Sequence, residues 1–135
     1  MSKFSLGTRL YILGTIVVGA GFMAWQLNAL KPEDVGLLIV VGVLGALAQI
    51  FKVEGTTERS SYNISWVVYG FAFLRLGAPG LIFVILLSHI VEWTKHRYPW
   101  FIQLFNITQF AVSAMAAKFI GEAVRSTIAS PLADT

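Results

Sequence analysis

Apolar segments alternate with short polar segments along the whole chain. The apolar segments predict helices over residues 10–30, 33–51, 64–76, 79–94 and 100–121, and the polar segment 52–63 predicts a loop. About 20 apolar residues are needed for a helix to cross a bilayer, so residues 64–76 are short for a full crossing. The pattern predicts an all-α polytopic membrane bundle of about five transmembrane helices, formed by residues 1–135 as a single domain.

Small residues are frequent in the first two predicted helices. In membrane helices, small residues allow neighbouring backbones to approach closely. We therefore expect close helix packing along both segments. The residues concerned are Gly14, Gly19, Ala20 and Gly21 in the first helix, and Gly36, Gly42, Gly45, Ala46 and Ala48 in the second.

The last apolar segment begins with the pattern of a membrane entry. The basic residues 95–97 precede Tyr98, Pro99 and Trp100, and no charged residue then follows until Lys118. Cations suit the headgroups, and aromatic side chains suit the interface. Proline is tolerated in a first helical turn because its missing N–H would have no partner there.

A polar stripe follows this last helix. Gln103, Asn106, Gln109 and Ser113 recur every three to four residues and therefore share one face. Such a stripe should turn away from lipid. It lines a pocket for a small polar ligand, with His89 as a further ligand-binding candidate, or it joins helices through amide hydrogen bonds. Asn106 is the position that we expect to lie deepest.

Composition agrees with a membrane protein and excludes several functions. The chain is 56% hydrophobic and 13% charged, against about a quarter charged in soluble domains. Its net charge of +3 is small, and the basic residues lie at segment ends, so we expect a lipid bilayer and no nucleic acid as partner. The absence of cysteine excludes disulfides and thiolate chemistry.

Charge and aromatic positions predict an orientation. With a cytoplasmic N-terminus, six of the ten Lys and Arg residues fall on the inner side, which favours that arrangement. Aromatic residues near segment ends predict one interface belt. The predicted interface anchors are Tyr62, Trp66, Trp93, Tyr98 and Trp100.

Ionisable residues near the ends of the last helices suggest further chemistry. His89, Glu92 and His96 lie on one helix face, where they would bind a divalent metal or, as we expect, leave His89 hydrogen-bonded between helices and the other two solvated. Arg75, Lys118 and Glu122 fall on the opposite side of the membrane. They either pair and reach the interface, or form a mouth that attracts an anion.

No pattern of an enzyme is present. The serines lack spaced Asp and His partners for a triad, and the chain has no phosphate-binding loop and no paired carboxylates. We therefore expect no catalytic residues, no cofactor and no bound metal.

Residues 51–120 nevertheless resemble a known family. A Ser-rich lead at residues 60–65 precedes Leu74-x-Leu76-Gly77-x-Pro79, and Arg97-x-Pro99-Trp100 precedes Leu104-Phe105-Asn106-x-x-Gln109-x-x-x-Ser113. These motifs resemble the N-terminal multi-pass sensory domains of bacterial HD-GYP and GGDEF signalling proteins. Those domains are similar in fold to the six-helix substrate-binding subunits of energy-coupling-factor transporters, an analogy of fold alone.

The resemblance implies a sensory module of the bacterial inner membrane that signals to a cytosolic cyclic-di-GMP enzyme domain or partner. The chain lacks the His-Asp pair and the Gly-Tyr-Pro sequence, so any phosphodiesterase activity lies outside it. A truncated six-helix domain, with a further helix after Ala129, would return the chain to the cytoplasm. The alternatives are a substrate-binding subunit of a vitamin-type transporter and a structural subunit of a larger membrane complex, with a protein partner or a second copy.

Overall fold

In the computed structural model, the described part of the protein consists chiefly of four long helical segments. The structure describes residues 4–51, 53–54, 61–62, 64–97 and 99–129. All four helices are long and apolar enough to cross a membrane, which confirms the predicted all-α multi-pass membrane protein. The helices are α1 (Leu6–Leu27), α2 (Val35–Ile50), α3 (Ser65–His96) and α4 (Trp100–Ala129).

The third helix is a hairpin rather than a rod. At Gly77 the backbone has φ 67° and ψ −166°, which reverses the chain direction. A Cβ placed on Gly45 would lie 2.8 Å from a methyl group of Val84 and 3.6 Å from one of Val68. Along a straight helix these two valines would be about 24 Å apart. Residues 65–76, the first arm, therefore pack beside residues 78–96, the second arm.

This hairpin agrees with the predicted break between 64–76 and 79–94. Its two arms are separate helices that meet at Gly77, where the backbone leaves helical geometry. Pro79 is compatible with that geometry because it lies in the first turn of the second arm, where its missing N–H has little effect. The first arm rises only about 18 Å, so it is shorter than the bilayer core.

The other helix boundaries differ from the predicted ones. The first helix begins at Leu6 rather than residue 10, because the Ser5 hydroxyl accepts from the Thr8 backbone N–H at 3.2 Å and caps it. It ends at Leu27 rather than residue 30. A single 3₁₀ turn, Pro32–Asp34, precedes α2, which covers Val35–Ile50 instead of residues 33–51. The last helix continues past residue 121 to Ala129 because no breaking residue intervenes.

The predicted loop 52–63 contains a short strand pair. Strands β1 (Val53–Glu54) and β2 (Ser61–Tyr62) are antiparallel, with Val53 opposite Tyr62 and Glu54 opposite Ser61. The other residues of this loop lie outside the described residues.

The hairpin is the centre of the bundle. It packs against α2 on one side and against α4 and α1 on the other. The predicted close packing is confirmed at Gly19, Gly42 and Gly45, where an added Cβ would lie within 3 Å of a neighbouring helix. It is wrong at Gly14, Gly21 and Gly36, which have open space around them. The apolar core is formed chiefly by Phe22, Val41, Ala72, Ile82, Val84, Ile85, Ile107 and Ala111.

Two opposite ends of the bundle follow from this packing. At one end, which we call the N-face, the Lys95 ammonium donates to the Ile50 carbonyl at 3.2 Å and the Phe4 ring packs against that of Phe101. The Gly77 reversal and the turn at residues 28–34 lie at the other end, which we call the turn face.

Candidate functional site

A cluster of polar side chains lies inside the bundle, near the N-face. Its centre is Glu92, on the second arm of α3, which is only 3% exposed. The Gln49 amide, from α2, donates to Glu92 Oε2 at 2.7 Å. His89 Nδ1 lies 3.2 Å from the same oxygen. One carboxylate oxygen thus joins a group from α2 to a group one turn away on α3.

The last helix completes this cluster through Gln103. Its side-chain nitrogen donates to the His89 backbone carbonyl at 2.8 Å and lies 3.2 Å from His89 Nδ1. When Nδ1 carries a proton, that proton is donated to Glu92; when Nδ1 is unprotonated, it accepts from Gln103. The ring can therefore exchange partners without moving. We call Gln49, His89, Glu92 and Gln103 the buried polar cluster.

Aromatic and hydroxyl groups surround the His89 ring. The Phe110 ring lies 5.4 Å from the His89 ring and 5.6 Å from that of Tyr69, which belongs to the first arm. The Tyr69 hydroxyl faces those of Ser65 and Ser88. Because both arms of the hairpin contribute, this neighbourhood depends on the reversal at Gly77.

Four buried polar atoms near this cluster have no hydrogen-bond partner among the residues that the structure describes. They are Tyr69 Oη, Ser88 Oγ, His89 Nε2 and Gln103 Oε1. An unpaired buried donor or acceptor costs about 1–3 kcal/mol. Native interiors contain few such atoms, and several together indicate ordered water, a functional group or a polar guest. Tyr69 and Ser88 also lie near each other. The arrangement has both donors and acceptors to offer to a small polar molecule.

The cluster lies close to one membrane face. Gln49 is next to the last residue of α2, Glu92 lies one turn before the end of α3, and Gln103 is in the first turn of α4. At 1.5 Å per residue, these three positions are about 2–6 Å from their helix ends. A polar molecule from the N-face therefore has only a short distance to travel.

The structure separates the predicted polar stripe. Gln103 and His89 belong to the buried polar cluster, and both are buried. Asn106 is half-buried, while Gln109 and Ser113 are exposed. The expectation that Asn106 lies deepest is therefore wrong.

The rotation of α4 explains this difference. The side of α4 that faces the hairpin carries Gln103, Ile107, Ala111 and Ala114, all buried. The two alanines allow α4 to approach the core closely, whereas the more polar side remains at the surface. There Asn106, Gln109 and Ser113 line a shallow cleft beside Trp66. The Ser113 hydroxyl is satisfied by the Gln109 carbonyl of its own helix at 3.0 Å.

Two members of the cluster were not predicted as site residues. Gln49 was not singled out from the sequence, and Glu92 was expected to be solvated at the interface. Both are buried because the second arm extends to His96, which leaves Glu92 one turn inside the helix. The sequence signals for this site were the His89–Glu92 spacing and the polar stripe that includes Gln103.

The metal alternative gains no support from the geometry. His89 and Glu92 lie together, but His96 is exposed at the end of α3. Among the described residues, no group of three His, Cys, Asp or Glu side chains is arranged to hold a metal ion. The expected interhelical hydrogen bond of His89 is present, through Gln103.

Charged residues of the turn face line two separate clefts. Lys118 and Glu122 line one cleft with Arg125, whereas Arg75 lines another with Lys31. The three residues grouped by the sequence are therefore not all brought together.

The described interface anchors lie at the N-face with exposed rings. Trp66 is 62% exposed, Trp93 40% and Trp100 54%. The rings of Tyr62 and Tyr98 lie outside the part of the chain whose side chains the structure describes. The membrane belt itself stays a prediction.

Comparisons with protein-family models, with curated proteins and with solved structures found no match to this chain.

Proposed function

We propose that this chain is a membrane-embedded sensory module and that the buried polar cluster is its ligand-binding site. The observation that carries the proposal is the burial of Glu92 and His89, each 3% exposed, inside an apolar bundle. Ionisable groups within membrane segments are costly, and they commonly mark sites of ligand or proton recognition.

The chemistry of the cluster defines the ligand class. Glu92 supplies an acceptor, and the unpartnered atoms of Ser88, His89 and Gln103 supply both donors and acceptors. A small polar molecule with several hydrogen-bonding groups fits this set. A purely apolar molecule does not, because it would leave these buried atoms unpaired.

The signal would travel through the helices that the cluster joins. Gln49, Glu92 and Gln103 belong to α2, α3 and α4, so a ligand that changes their hydrogen bonds also changes the relative packing of three helices. Binding then shifts the population between two packings.

The receiver of the signal is proposed to be a cytosolic cyclic-di-GMP enzyme domain or partner, with the chain in the bacterial inner membrane. The resemblance of residues 51–120 to sensory domains supports this assignment. A cytoplasmic N-terminus would put the N-face, and hence the cluster, next to such a partner.

Native mass spectrometry of the chain, purified from its own membranes in mild detergent, tests the proposal. We expect a retained small polar molecule in the wild type and in Gln109→Leu, whose side chain is exposed, and its loss in Gln103→Leu. Both variants remove the same amide from the same helix. Loss in both variants, or retention in both, would contradict the assignment of the site.

A structural subunit of a larger membrane complex is the second candidate. It is favoured by the exposed polar side of α4, where Gln109 and Ser113 meet Tyr11 and Thr15 of α1 in a groove that faces the surroundings of the bundle. Polar residues commonly join membrane helices. A chain that carries no small molecule and always purifies with other membrane proteins supports this candidate. Copurification of a ligand-loaded chain with an ATPase supports the transporter subunit instead.

A further inference from the structure

At the turn face, α1, the hairpin and α4 enclose a cleft that the proposed ligand site does not use. Its volume is about 540 Å³. The reversal of α3 at Gly77 forms one wall, and the last turns of α4 form another. The lining side chains divide into an apolar group that includes Phe73 and Leu74, and a polar group formed by Gln26, Lys118, Glu122 and Arg125.

Gln26 is the feature of this cleft that simple packing does not explain. Its side chain is 97% buried by the neighbouring helices, being 3% exposed, yet it lines the cleft. Its amide is not among the buried polar atoms that lack a partner, and it opens to the cleft, so it is suited to donate to a bound acceptor.

Two cations stand at the rim of the same cleft. Lys118 is partly buried, and its ammonium lies 4.8 Å from the centre of the Trp25 ring, which holds it near the interface. Arg125 is two turns further along α4. Glu122 lies between them and forms no ion pair with either cation, so the rim carries a net charge of +1. At Gly77 the C-terminal end of the first arm meets the N-terminal end of the second arm, so their helix dipoles oppose each other. The attraction of the cleft for an anion therefore depends on the charged side chains.

We propose that this cleft binds an anionic phospholipid. The phosphate would lie between Lys118, Arg125 and the Gln26 amide, and an acyl chain would follow the exposed Leu74 side chain toward the lipid phase. Like a phospholipid, the cleft has a charged part and an apolar part. The charged part lies at the interface end of the helices. A free phosphate ion would use the cations and leave the apolar wall uncovered.

Lipid retention by the delipidated full chain tests this proposal. Phosphatidylglycerol or phosphatidylcholine is added to the protein in detergent, and bound lipid is counted by native mass spectrometry. We expect phosphatidylglycerol to be retained preferentially. Each of Lys118→Gln and Arg125→Gln should weaken its retention by about fivefold, since one cation near the surface contributes about 1 kcal/mol. Glu122→Gln should strengthen it.

Two controls separate a specific site from general attraction. Lys31→Gln removes a cation from the same face but from the other cleft, and it should leave the preference unchanged. Gln26→Leu should lower phosphatidylglycerol retention and leave that of phosphatidylcholine unchanged. An equal effect of Lys31→Gln and Lys118→Gln, or equal retention of the two lipids, overturns the proposal. Displacement of phosphatidylglycerol by inorganic phosphate assigns the site to a free anion and overturns the lipid assignment.

Discussion

Glu92 organises the buried polar cluster at the scale of single residues. One of its oxygens, Oε2, accepts from Gln49 and contacts His89 Nδ1. Removal of the carboxylate would take one hydrogen-bonding partner from each of two buried polar groups. Loss of one partner from a buried pair is usually more destabilising than the pair itself is stabilising.

Glu92→Leu should therefore destabilise the protein by about 3–5 kcal/mol, measured as a loss of thermal or denaturant resistance in detergent. Glu92→Gln keeps an oxygen for the Gln49 amide and should lose clearly less stability. The exposed Thr94 is a suitable control position on the same arm, and Thr94→Leu should change stability little. Equal stability of Glu92→Leu and Thr94→Leu would show that the buried cluster is not formed.

Sequence reasoning identified part of this site. His89 and Gln103 were predicted because polar residues in apolar segments are conspicuous. Gln49 was not predicted, and Glu92 was expected to be solvated because it is close to a segment end. The sequence does not show how far a neighbouring helix covers such an end. The burial of Asn106 was overestimated because the periodicity defines a face of α4 but not the direction in which that face points.

At the scale of elements, the hairpin of α3 depends on Gly77. Its φ of 67° and ψ of −166° lie in a region that is essentially restricted to glycine. The Gly-Ala-Pro-Gly sequence was sufficient to predict a break. It was not sufficient to predict how the two arms pack, because that follows from the contacts of Val68 and Val84 around Gly45.

Gly77→Ala should destabilise the protein by about 1–3 kcal/mol, because a Cβ strains this conformation. Gly70→Ala is the matched control, since an added Cβ there meets nothing within 4 Å and alanine is the better helix former. We expect Gly70→Ala to be neutral or slightly stabilising. The measurement is thermal unfolding of both variants in the same detergent.

A cysteine pair tests the same hairpin directly, since the native chain has no cysteine. Val68→Cys with Val84→Cys should cross-link within one chain, whereas Val67→Cys with Val84→Cys should not, because Val67 points outward. Failure of the first pair, together with a neutral Gly77→Ala, would mean that α3 is a straight helix.

At the scale of the whole molecule, the apolar pattern predicted the fold class because membrane helices must satisfy their own backbone groups. Which helices touch was not predictable, since lipid-facing and core-facing residues are equally apolar. The structure places the hairpin between α2 on one side and α1 and α4 on the other. Only that arrangement brings Gln49, Glu92 and Gln103 together.

We propose that the folded bundle holds a responsive polar site around His89. The chain has two histidines, His89 and His96, so ¹⁵N NMR of the imidazoles in His96→Gln, embedded in lipid nanodiscs, reports on His89 alone. We expect the His89 ring to be shielded from rapid exchange with water. Its Nδ1 signal should change in Glu92→Gln. Its Nε2 signal should differ between protein as purified and protein washed free of small molecules. The proposed site would be contradicted if the ring exchanges freely with water, as expected of the exposed His96, and if neither Glu92→Gln nor the removal of small molecules changes its signals.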